Sequence, residues 1–390
     1  MPYLLLIGAG TIFFLTLWIF IPGWTYPLFV LGAGAPELSP WLLLASLILC
    51  LVSATFPGQS QLTRVTIFLA LGAAALASVP LAQAALAVRR FQNAMQRALG
   101  EDFLRGVPAR VRDGLRPRPI VAIDLFRGID FGEPSLVRGI PVAAPDGQQL
   151  TLDVYRPVAD GRFPAVVQIY GGAWQRGAPG DNPEFARYLA TRRYVVFAID
   201  YRHAPKWPWP AQIADVRTAL TWIREHGSEY GADVSRLALI GRSAGAHLAL
   251  MAAYEPGAPP VQAVVGFYGP VDLEDGYRHP PRPDPLDVRA IDEALLSGTP
   301  DQVPDRYREA SPIRYVTRKL PPTLLIHGAR DHVVEARFGE MLYERLQSTG
   351  TPSVLLEIPW AGHTFDAIPS GLSAQLALYY TEQFLAWALN

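Results

Sequence analysis

The residues best suited to chemistry lie in Gly241-Arg-Ser-Ala-Gly245, a serine between two glycines. This motif follows a short apolar run, Leu237–Ile240, and precedes a helical pattern that starts at Ala244. G-x-S-x-G between a strand and a helix is typical of a nucleophile elbow, because the sharp turn leaves no room for flanking side chains. The turn would also place the serine at a helix N-terminus, which favours developing negative charge. We therefore predict that Ser243 is a nucleophile; a serine that only caps the helix is the alternative.

An acid and a histidine follow in the order that such a nucleophile requires. Asp331 lies just beyond the apolar run Thr323–His327, and His363 is the last histidine of the chain. Serine, acid and histidine occur in this order along α/β-hydrolase chains. His363 would take the proton of the serine and return it to the leaving group, while Asp331 would fix the tautomer of the imidazole. A surface-loop carboxylate at position 331 and competition from His332 are the alternatives.

A glycine-rich loop provides candidate donors for an oxyanion hole. Tyr170-Gly-Gly-Ala-Trp174 follows the apolar run Ala165–Ile169. Glycines let backbone N–H groups approach a substrate oxygen closely, and the N–H that follows the nucleophile is the usual second donor. The predicted oxyanion hole consists of Gly171, Gly172, Ala173 and Ala244. The alternative is an ordinary tight turn.

Composition argues against several other kinds of site. The 34 basic and 35 acidic residues give a net charge of −1, without the basic excess of a nucleic-acid-binding protein. Cys50 is the only cysteine, so neither an intrachain disulfide nor a thiolate zinc site is possible. His327 and Asp331 are spaced by four residues, but they lie at a strand end instead of on a helix face. No phosphate-binding G-x-x-x-x-G-K-[ST] pattern occurs. We expect no metal and no cofactor.

Alternating strand-like and helix-like runs from residue 137 to 390 would position the reactive residues. This alternation predicts an α/β fold with a mostly parallel sheet flanked by helices, and the reactive groups would gather at the carboxyl ends of the strands. The segment 270–312, rich in Pro, Asp and Arg, is predicted to be an insertion, either a lid or a surface excursion. The predicted strands are Leu150–Tyr155, Ala165–Tyr170, Val195–Ile199, Leu237–Ile240, Ala263–Phe267, Thr323–His327 and Val354–Ile358. The predicted helices are Asn182–Arg192, Ala211–His226, Ala244–Tyr254, Glu335–Ser348 and Leu372–Ala388.

The first 88 residues have a different composition and predict an all-α membrane region. Glu37 and Arg64 are the only charged residues there. Three apolar runs, Leu4–Ile21, Trp41–Phe56 and Val65–Val88, approach the roughly 20 residues of a spanning helix. Turn residues separate the runs, the last of them at Pro57-Gly58. We predict three transmembrane helices and contact with a lipid bilayer; two spans, a signal peptide or buried helices are the alternatives.

Residues 89–136 are predicted to connect the two parts. Phe91–Leu104 has the pattern of an amphipathic helix on the membrane surface, and the proline-rich stretch 116–119 begins a linker. Arg89, Arg90 and Arg97 follow the third apolar run directly. Because basic residues favour the cytoplasmic side, we expect a multi-pass membrane protein with a cytoplasmic catalytic domain.

Six short motifs together resemble the esterase/lipase branch of the α/β-hydrolases. They are Tyr-Gly-Gly-Ala-Trp at 170–174, Asp-Tyr-Arg-His-Ala-Pro at 200–205, Gly-Arg-Ser-Ala-Gly at 241–245, Ser-Pro-Ile at 311–313, His-Gly-Ala-Arg-Asp at 327–331 and Gly-His at 362–363. From about 137 to 388 the chain is similar to hormone-sensitive-lipase-like and feruloyl-esterase-like carboxylesterases. The oxyanion motif of that family begins His-Gly-Gly, and Tyr170 stands here in place of the histidine. The resemblance implies cofactor-free, two-step ester cleavage through an acyl-serine.

Three kinds of function remain open from the sequence. The first is hydrolysis of a small-molecule or lipid-like carboxylic ester. The second is another reaction at an acyl centre, catalysed by the same triad in an acyltransferase, amidase or peptidase. The third is a membrane scaffold with a vestigial hydrolase domain, which the intact set of catalytic residues disfavours.

Overall fold

The computed structural model describes residues 2–55 and 61–390. Phe56, which ends the second predicted apolar run, and the predicted turn at Pro57-Gly58 lie outside these residues. The strands are β1 (Ser135–Ala143), β2 (Gln149–Arg156), β3 (Phe163–Ile169), β4 (Val195–Ile199), β5 (Ala232–Arg242), β6 (Ala263–Phe267), β7 (Thr323–Gly328) and β8 (Ser353–Ile358). The helices are α1 (Pro2–Leu17), α2 (Tyr26–Glu37), α3 (Ser39–Ala54), α4 (Gln61–Leu99), α5 (Ala109–Arg112), α6 (Asp124–Arg127), α7 (Pro183–Thr191), α8 (Ala211–His226), α9 (Ala244–Tyr254), α10 (Leu273–Arg278), α11 (Val288–Leu296), α12 (Pro304–Glu309), α13 (Arg337–Ser348) and α14 (Leu372–Leu389).

One eight-stranded sheet organises the chain from residue 135 onward. Its strand order is β1-β2-β4-β3-β5-β6-β7-β8. β1 and β2 pair antiparallel, β2 pairs antiparallel with β4, and every later pairing is parallel. The carboxyl ends of β3, β5, β7 and β8 therefore meet at one edge of the sheet, where loops that follow these strands come together.

Both faces of the sheet are covered, as the continuous apolar strands predict. Alternate residues of β3 show the two faces: Val167 packs in the cluster that includes α8, α9 and α13, whereas Val166 packs in the cluster that includes α7 and α14. The predicted α/β-hydrolase fold with a mostly parallel sheet flanked by helices is confirmed.

The sheet contains one strand that the sequence did not indicate. β1 occupies Ser135–Ala143, in and just after the predicted linker, and pairs only with β2. It lies at the edge of the sheet, its side chains are mostly exposed, and its register shifts between Val137 and Ile140. Apolar periodicity is weak in such a strand because no core face requires it.

The insertion at 270–312 folds onto the rest of the domain as three short helices. Asp272 and Asp287 cap the N-termini of α10 and α11, and each carboxylate accepts a hydrogen bond from a backbone N–H of the first helical turn. Leu295 and Leu296 of α11 are fully buried in the core. The segment is thus an ordered cover at the carboxyl edge of the sheet.

The N-terminal region differs from the predicted three spanning helices. Among residues 2–55 and 61–390, α4 alone is long and apolar enough to cross a membrane. α2 and α3 meet that criterion only together, and they are bent by 76°. α1 ends at Leu17, so residues 18–21 of the first apolar run do not extend the helix. They pack against α2, and Arg330 of the hydrolase domain donates to the carbonyl of Phe20.

The 39-residue helix α4 joins the two parts of the chain. Its first half packs against α1 and α3, and Gly72 lies against the ring of Phe13. In its second half, Phe91 and Met95 are buried against the hydrolase domain, and Tyr380 of α14 donates to the carbonyl of Val88 at 2.9 Å. The predicted amphipathic helix at 91–104 is therefore the last turns of α4, which ends at Leu99, followed by a turn.

Candidate active site

Ser243 occupies a strained turn between β5 and α9. Its φ and ψ are 52° and −121°, in the positive-φ region that residues other than glycine rarely adopt. A Cβ at Gly241 would lie 2.1 Å from the carbonyl oxygen of Gly245, and one at Gly245 would lie 2.2 Å from that of Ile169. Side chains at either position would therefore prevent the turn. The close contacts of the two glycines hold the strained turn, which aims the hydroxyl away from the sheet.

The structure brings Ser243, His363 and Asp331 into one hydrogen-bonded chain. The Nε2 atom of His363 lies 2.9 Å from the Oγ of Ser243, and its Nδ1 lies 2.7 Å from Oδ2 of Asp331. The carboxylate can only accept from Nδ1–H, so Nε2 is left to accept from the serine hydroxyl. This is the tautomer that allows the imidazole to remove the proton of the serine.

The carboxylate of Asp331 is fixed in place by its own loop. Its Oδ1 accepts from the backbone N–H groups of Val333 and Val334 at 2.8 and 2.9 Å, and its side chain is fully buried. The loop that carries it lies against the histidine loop: Arg330 N donates to Ala361 O at 2.9 Å. A Cβ at Gly328 would be 2.4 Å from the same carbonyl oxygen, so glycine is required for this approach. The loops after β7 and β8 are thus held together as a unit.

The predicted oxyanion loop packs directly against the serine. A Cβ at Gly171 would lie 3.2 Å from that of Ser243, and a Cβ at Gly172 would overlap the carbonyl of Arg176. Gly172 and Ala173 have φ values of 134° and 55°, so the loop turns sharply at these two residues. Ala244 is the first residue of α9, where a backbone N–H has no acceptor within the helix. The N–H groups of this loop and of Ala244 are therefore close to the space above the serine.

Tyr170, which departs from the family motif, supports the base of that loop. Its hydroxyl donates to Oδ1 of Asp200 at 2.6 Å and lies 2.9 Å from Nε2 of His203. Its ring stacks on that of Tyr201 at 4.4 Å between centroids. Burial raises the pKa of the Tyr170 hydroxyl well above its ordinary value, so it remains a donor. Through these contacts with Asp200, Tyr201 and His203, the tyrosine fixes the start of the loop.

His247 anchors the far end of the same loop, a role that the sequence did not reveal. It is fully buried, one turn after the serine on α9. Its Nδ1 accepts from Nε1 of Trp174 at 3.2 Å, and its Nε2–H donates to the carbonyl of Ala310 at 2.6 Å. Burial lowers the pKa of His247 to about 4, so the ring is neutral at neutral pH.

A second missed feature is a buried ion pair beside His363. Arg242 and Asp366 pair at 2.5 Å, and the hydroxyl of Tyr268 donates to the same carboxylate. The ring of Tyr268 lies 4.7 Å from that of His363, edge to face. The tyrosine thereby limits the movement of the imidazole. Asp366 does not directly follow a strand, so no local motif indicates this pairing.

His327, which also lies close to the triad, has a structural contact. His327 is buried and its Nε2 donates to the carbonyl of Val334 at 2.7 Å. Burial lowers the pKa of His327, which leaves it neutral. Within 2–55 and 61–390, no group of three or more His, Cys, Asp or Glu side chains is placed to hold a metal ion.

A cavity of about 680 Å³ opens above the serine. Its lining includes Ser243 and His363, together with the predicted oxyanion residues Gly171, Gly172, Ala173 and Ala244. The buried Asp331 lies behind His363, outside the lining. Most of the other lining residues are apolar and come from the insertion and, unexpectedly, from the N-terminal helices. The volume is typical of small-molecule sites.

Comparison with known proteins identifies the family. The BD-FAE family profile matches residues 152–346, which is half of the chain. The chain belongs to the BD-FAE family. The match contains Ser243, the oxyanion loop and Asp331, and ends before His363. In this BD-FAE chain, His363 lies beyond the matched residues, and its place in the site rests on its hydrogen bonds to Ser243 and Asp331.

Two curated relatives of the BD-FAE domain carry esterase names. Esterase LipC of Mycobacterium tuberculosis is 37% identical over 236 residues, which cover 56% of this chain and 57% of LipC. The probable carboxylic ester hydrolase LipM of the same organism is 34% identical over 259 residues, covering 62% and 58%. The chain thus spans somewhat more than half the length of these relatives.

Solved structures show the same fold. The esterase Est2 of Thermogutta terrifontis matches with a TM-score of 0.54 and 25% identity, over 66% of this chain and 92% of Est2. The matching part of the BD-FAE chain is therefore a carboxylic ester hydrolase domain.

Proposed function

We propose that the whole protein is a membrane-anchored carboxylic ester hydrolase that works through an acyl-serine intermediate. The observation that carries this proposal is the hydrogen-bonded chain from Ser243 to His363 to Asp331 at the floor of an apolar cavity. The esterase names of the relatives support the reaction type.

The proposed reaction has two steps that use the same groups. The Oγ of Ser243 attacks the ester carbonyl while its proton passes to Nε2 of His363, and Asp331 stabilises the imidazolium through Nδ1–H. The N–H groups of Gly172, Ala173 and Ala244 would stabilise the oxyanion, with Gly171 bringing the loop close to the serine. His363 then returns the proton to the leaving alkoxide. Water repeats the sequence on the acyl-serine and releases the acid.

Hydrolysis of p-nitrophenyl esters by the full-length protein tests this proposal. Ser243→Ala should lower kcat by about 10⁴-fold or more. Ser228→Ala replaces an exposed serine of a surface turn and is the matched control, which should retain full activity. Product analysis in the presence of a competing alcohol separates hydrolysis from acyl transfer. Turnover that survives Ser243→Ala would contradict the proposal, and so would an ester of the competing alcohol as the main product.

The proposed membrane anchor is the first half of α4, with α1 and α3 packed beside it. Residues 61–83 would reach roughly 35 Å, enough for the hydrocarbon core of about 30 Å. Large apolar side chains on the outer surfaces of these helices are exposed to the surroundings, among them Phe14, Leu47, Leu51 and Phe68. A surface of this kind is stable in lipid and unfavourable in water.

The proposed orientation puts the hydrolase domain in the cytoplasm. Arg89, Arg90 and Arg97 lie on the half of α4 that packs against that domain, and basic residues favour the cytoplasmic side. Membranes extracted with alkaline carbonate should retain the protein, and a reporter fused at residue 100 should report a cytoplasmic position. Release by carbonate would exclude the anchor, and an external reporter signal would reverse the orientation.

A further inference from the structure

The N-terminal helices form one wall of the cavity above the serine. Phe29, Val30 and Gly34 of α2 line it, together with Leu15 of α1 and Leu42 of α3. All three helices therefore contribute to the space in which the substrate would lie.

The rim of the cavity on this side is apolar and exposed. Tyr26, Val30 and Leu38 line the cavity, and yet 51%, 51% and 42% of their surfaces are accessible from outside. The cavity consequently opens among the exposed apolar side chains of the N-terminal helices. Arg176 and His279, which are also exposed, lie on the lining contributed by the hydrolase domain. A mouth with one apolar side and one polar side suits an amphiphile at a lipid–water boundary.

The wall is tied to the hydrolase domain by specific contacts. Glu37, at the end of α2, is buried and accepts from the backbone N–H and the hydroxyl of Ser373 at the start of α14. Trp41 of α3 donates through Nε1 to the carbonyl of Leu125 in α6, in the segment that precedes the sheet, at 3.0 Å. Helix α2 therefore has a fixed position relative to the catalytic serine.

We infer that α2 determines substrate specificity, and that the substrate is a carboxylic ester with a long hydrocarbon chain that enters from the bilayer. The hydrocarbon chain lies along α2, and the ester carbonyl reaches the serine at the floor of the cavity. This inference rests on the proposed function, since it requires Ser243 to be the nucleophile.

Gly34 offers a substitution that narrows the cavity with little effect on folding. It lines the cavity, and a Cβ built at this position meets no atom within 4 Å. Gly34→Leu therefore adds a side chain in open space, and leucine has the higher helix propensity. Gly10 in α1 has equally open surroundings and does not line the cavity, so Gly10→Leu is the matched control. Val30→Phe narrows the mouth at a second, half-exposed position.

The assay compares kcat/KM for p-nitrophenyl dodecanoate and p-nitrophenyl acetate with the full-length protein in proteoliposomes. The wild type should prefer the dodecanoate. Gly34→Leu and Val30→Phe should each lower the dodecanoate-to-acetate ratio by roughly tenfold or more, the scale of a few methylene contacts. Gly10→Leu should keep the wild-type ratio. An unchanged ratio in both cavity variants, or an equal fall in the control, would overturn the inference.

Two further measurements separate the parts of the inference. Reaction of the wild type with a small fluorophosphonate depends on Ser243 and not on the walls of the cavity. If labelling is absent, the proposed function has failed. If Ser243 is labelled but the cavity variants keep the wild-type dodecanoate-to-acetate ratio, only the specificity claim has failed. Diluting the dodecanoate ester with an ether-linked phosphatidylcholine, which has no carboxylic ester to cleave, in the same vesicles and at constant bulk concentration should lower the rate of hydrolysis of the dodecanoate. A rate independent of this dilution would show arrival through water and would overturn access from the bilayer.

Discussion

The buried imidazole of His247 predicts a loss of stability in mild acid. The neutral ring satisfies both of its partners, Trp174 and Ala310, and an added proton would remove the acceptor that Trp174 needs. Burial lowers the pKa of His247 from 6.5 to about 4, against the smaller, opposing effect of the Ala310 carbonyl. The folded-state pKa is thus below the unfolded one. As the pH falls, the unfolded chain binds the proton first, so the folded state is destabilised.

The size of this effect follows from the two pKa values. The contribution of His247 to stability is fully present above pH 6.5 and is lost progressively as the pH falls towards about 4. The loss amounts to about 2 kcal/mol at pH 5 and about 3 kcal/mol at pH 4. At lower pH both states bind the proton, and this group causes no further change.

Urea unfolding of the full-length protein in detergent measures the effect. His247→Gln retains an amide donor and a carbonyl acceptor but does not titrate. Between pH 8 and pH 5 this variant should lose about 2 kcal/mol less unfolding free energy than the wild type. His226→Gln changes an exposed histidine that pairs with Glu229, and it should follow the wild type. Equal pH dependence in the wild type and His247→Gln would refute the reasoning.

Three substitutions test other parts of the site. Tyr170→Phe removes the donor to the partly buried Asp200, so it should cost about 1.5–3 kcal/mol of stability in thermal or urea unfolding and should lower kcat. Gly245→Ala would put a methyl group 2.4 Å from the carbonyl oxygen of Tyr170, so it should lower the free energy of unfolding by about 3 kcal/mol or prevent folding. Gly106→Ala adds a methyl group in open space and should leave stability unchanged. Asp331→Asn should lower kcat by about 10⁴-fold at unchanged expression, because the wrong imidazole tautomer is then stabilised; a tenfold effect or less would contradict its role.

The sequence predicted the core of the sheet more closely than its edge. The strands Val195–Ile199 and Ala263–Phe267 have the predicted bounds, since both are short, fully apolar runs that are buried on both faces. The edge strand Ser135–Ala143 was missed because its exposed residues include glycine, proline and arginine. Apolar composition identifies a strand in the sequence only where that strand is buried.

The same distinction applies to the site. Ser243, Asp331 and His363 were predictable because each follows a buried strand within a short motif, and the structure brings them together. The roles of Tyr170 and His247 in supporting the oxyanion loop were not predictable, since both act through partners that only the tertiary fold brings near. Such contacts leave no local spacing in the sequence.

In the N-terminal region, apolar composition alone does not give the number of spanning helices. An apolar residue can face lipid or can be buried in protein, and here part of the apolar surface packs on the hydrolase domain and lines its cavity. Glu37 was the available signal. A lone carboxylate between two apolar helices requires a buried partner, which here is Ser373.

Covalent labelling shows which residue of the protein is the activated nucleophile. The full-length protein in membranes is treated with a fluorophosphonate, and the modified peptide is located by mass spectrometry. We expect a single adduct on Ser243, which disappears in Ser243→Ala and forms far more slowly in a His363→Ala variant. An adduct on another residue, or undiminished labelling of Ser243→Ala, would contradict the claim that this serine is the activated nucleophile.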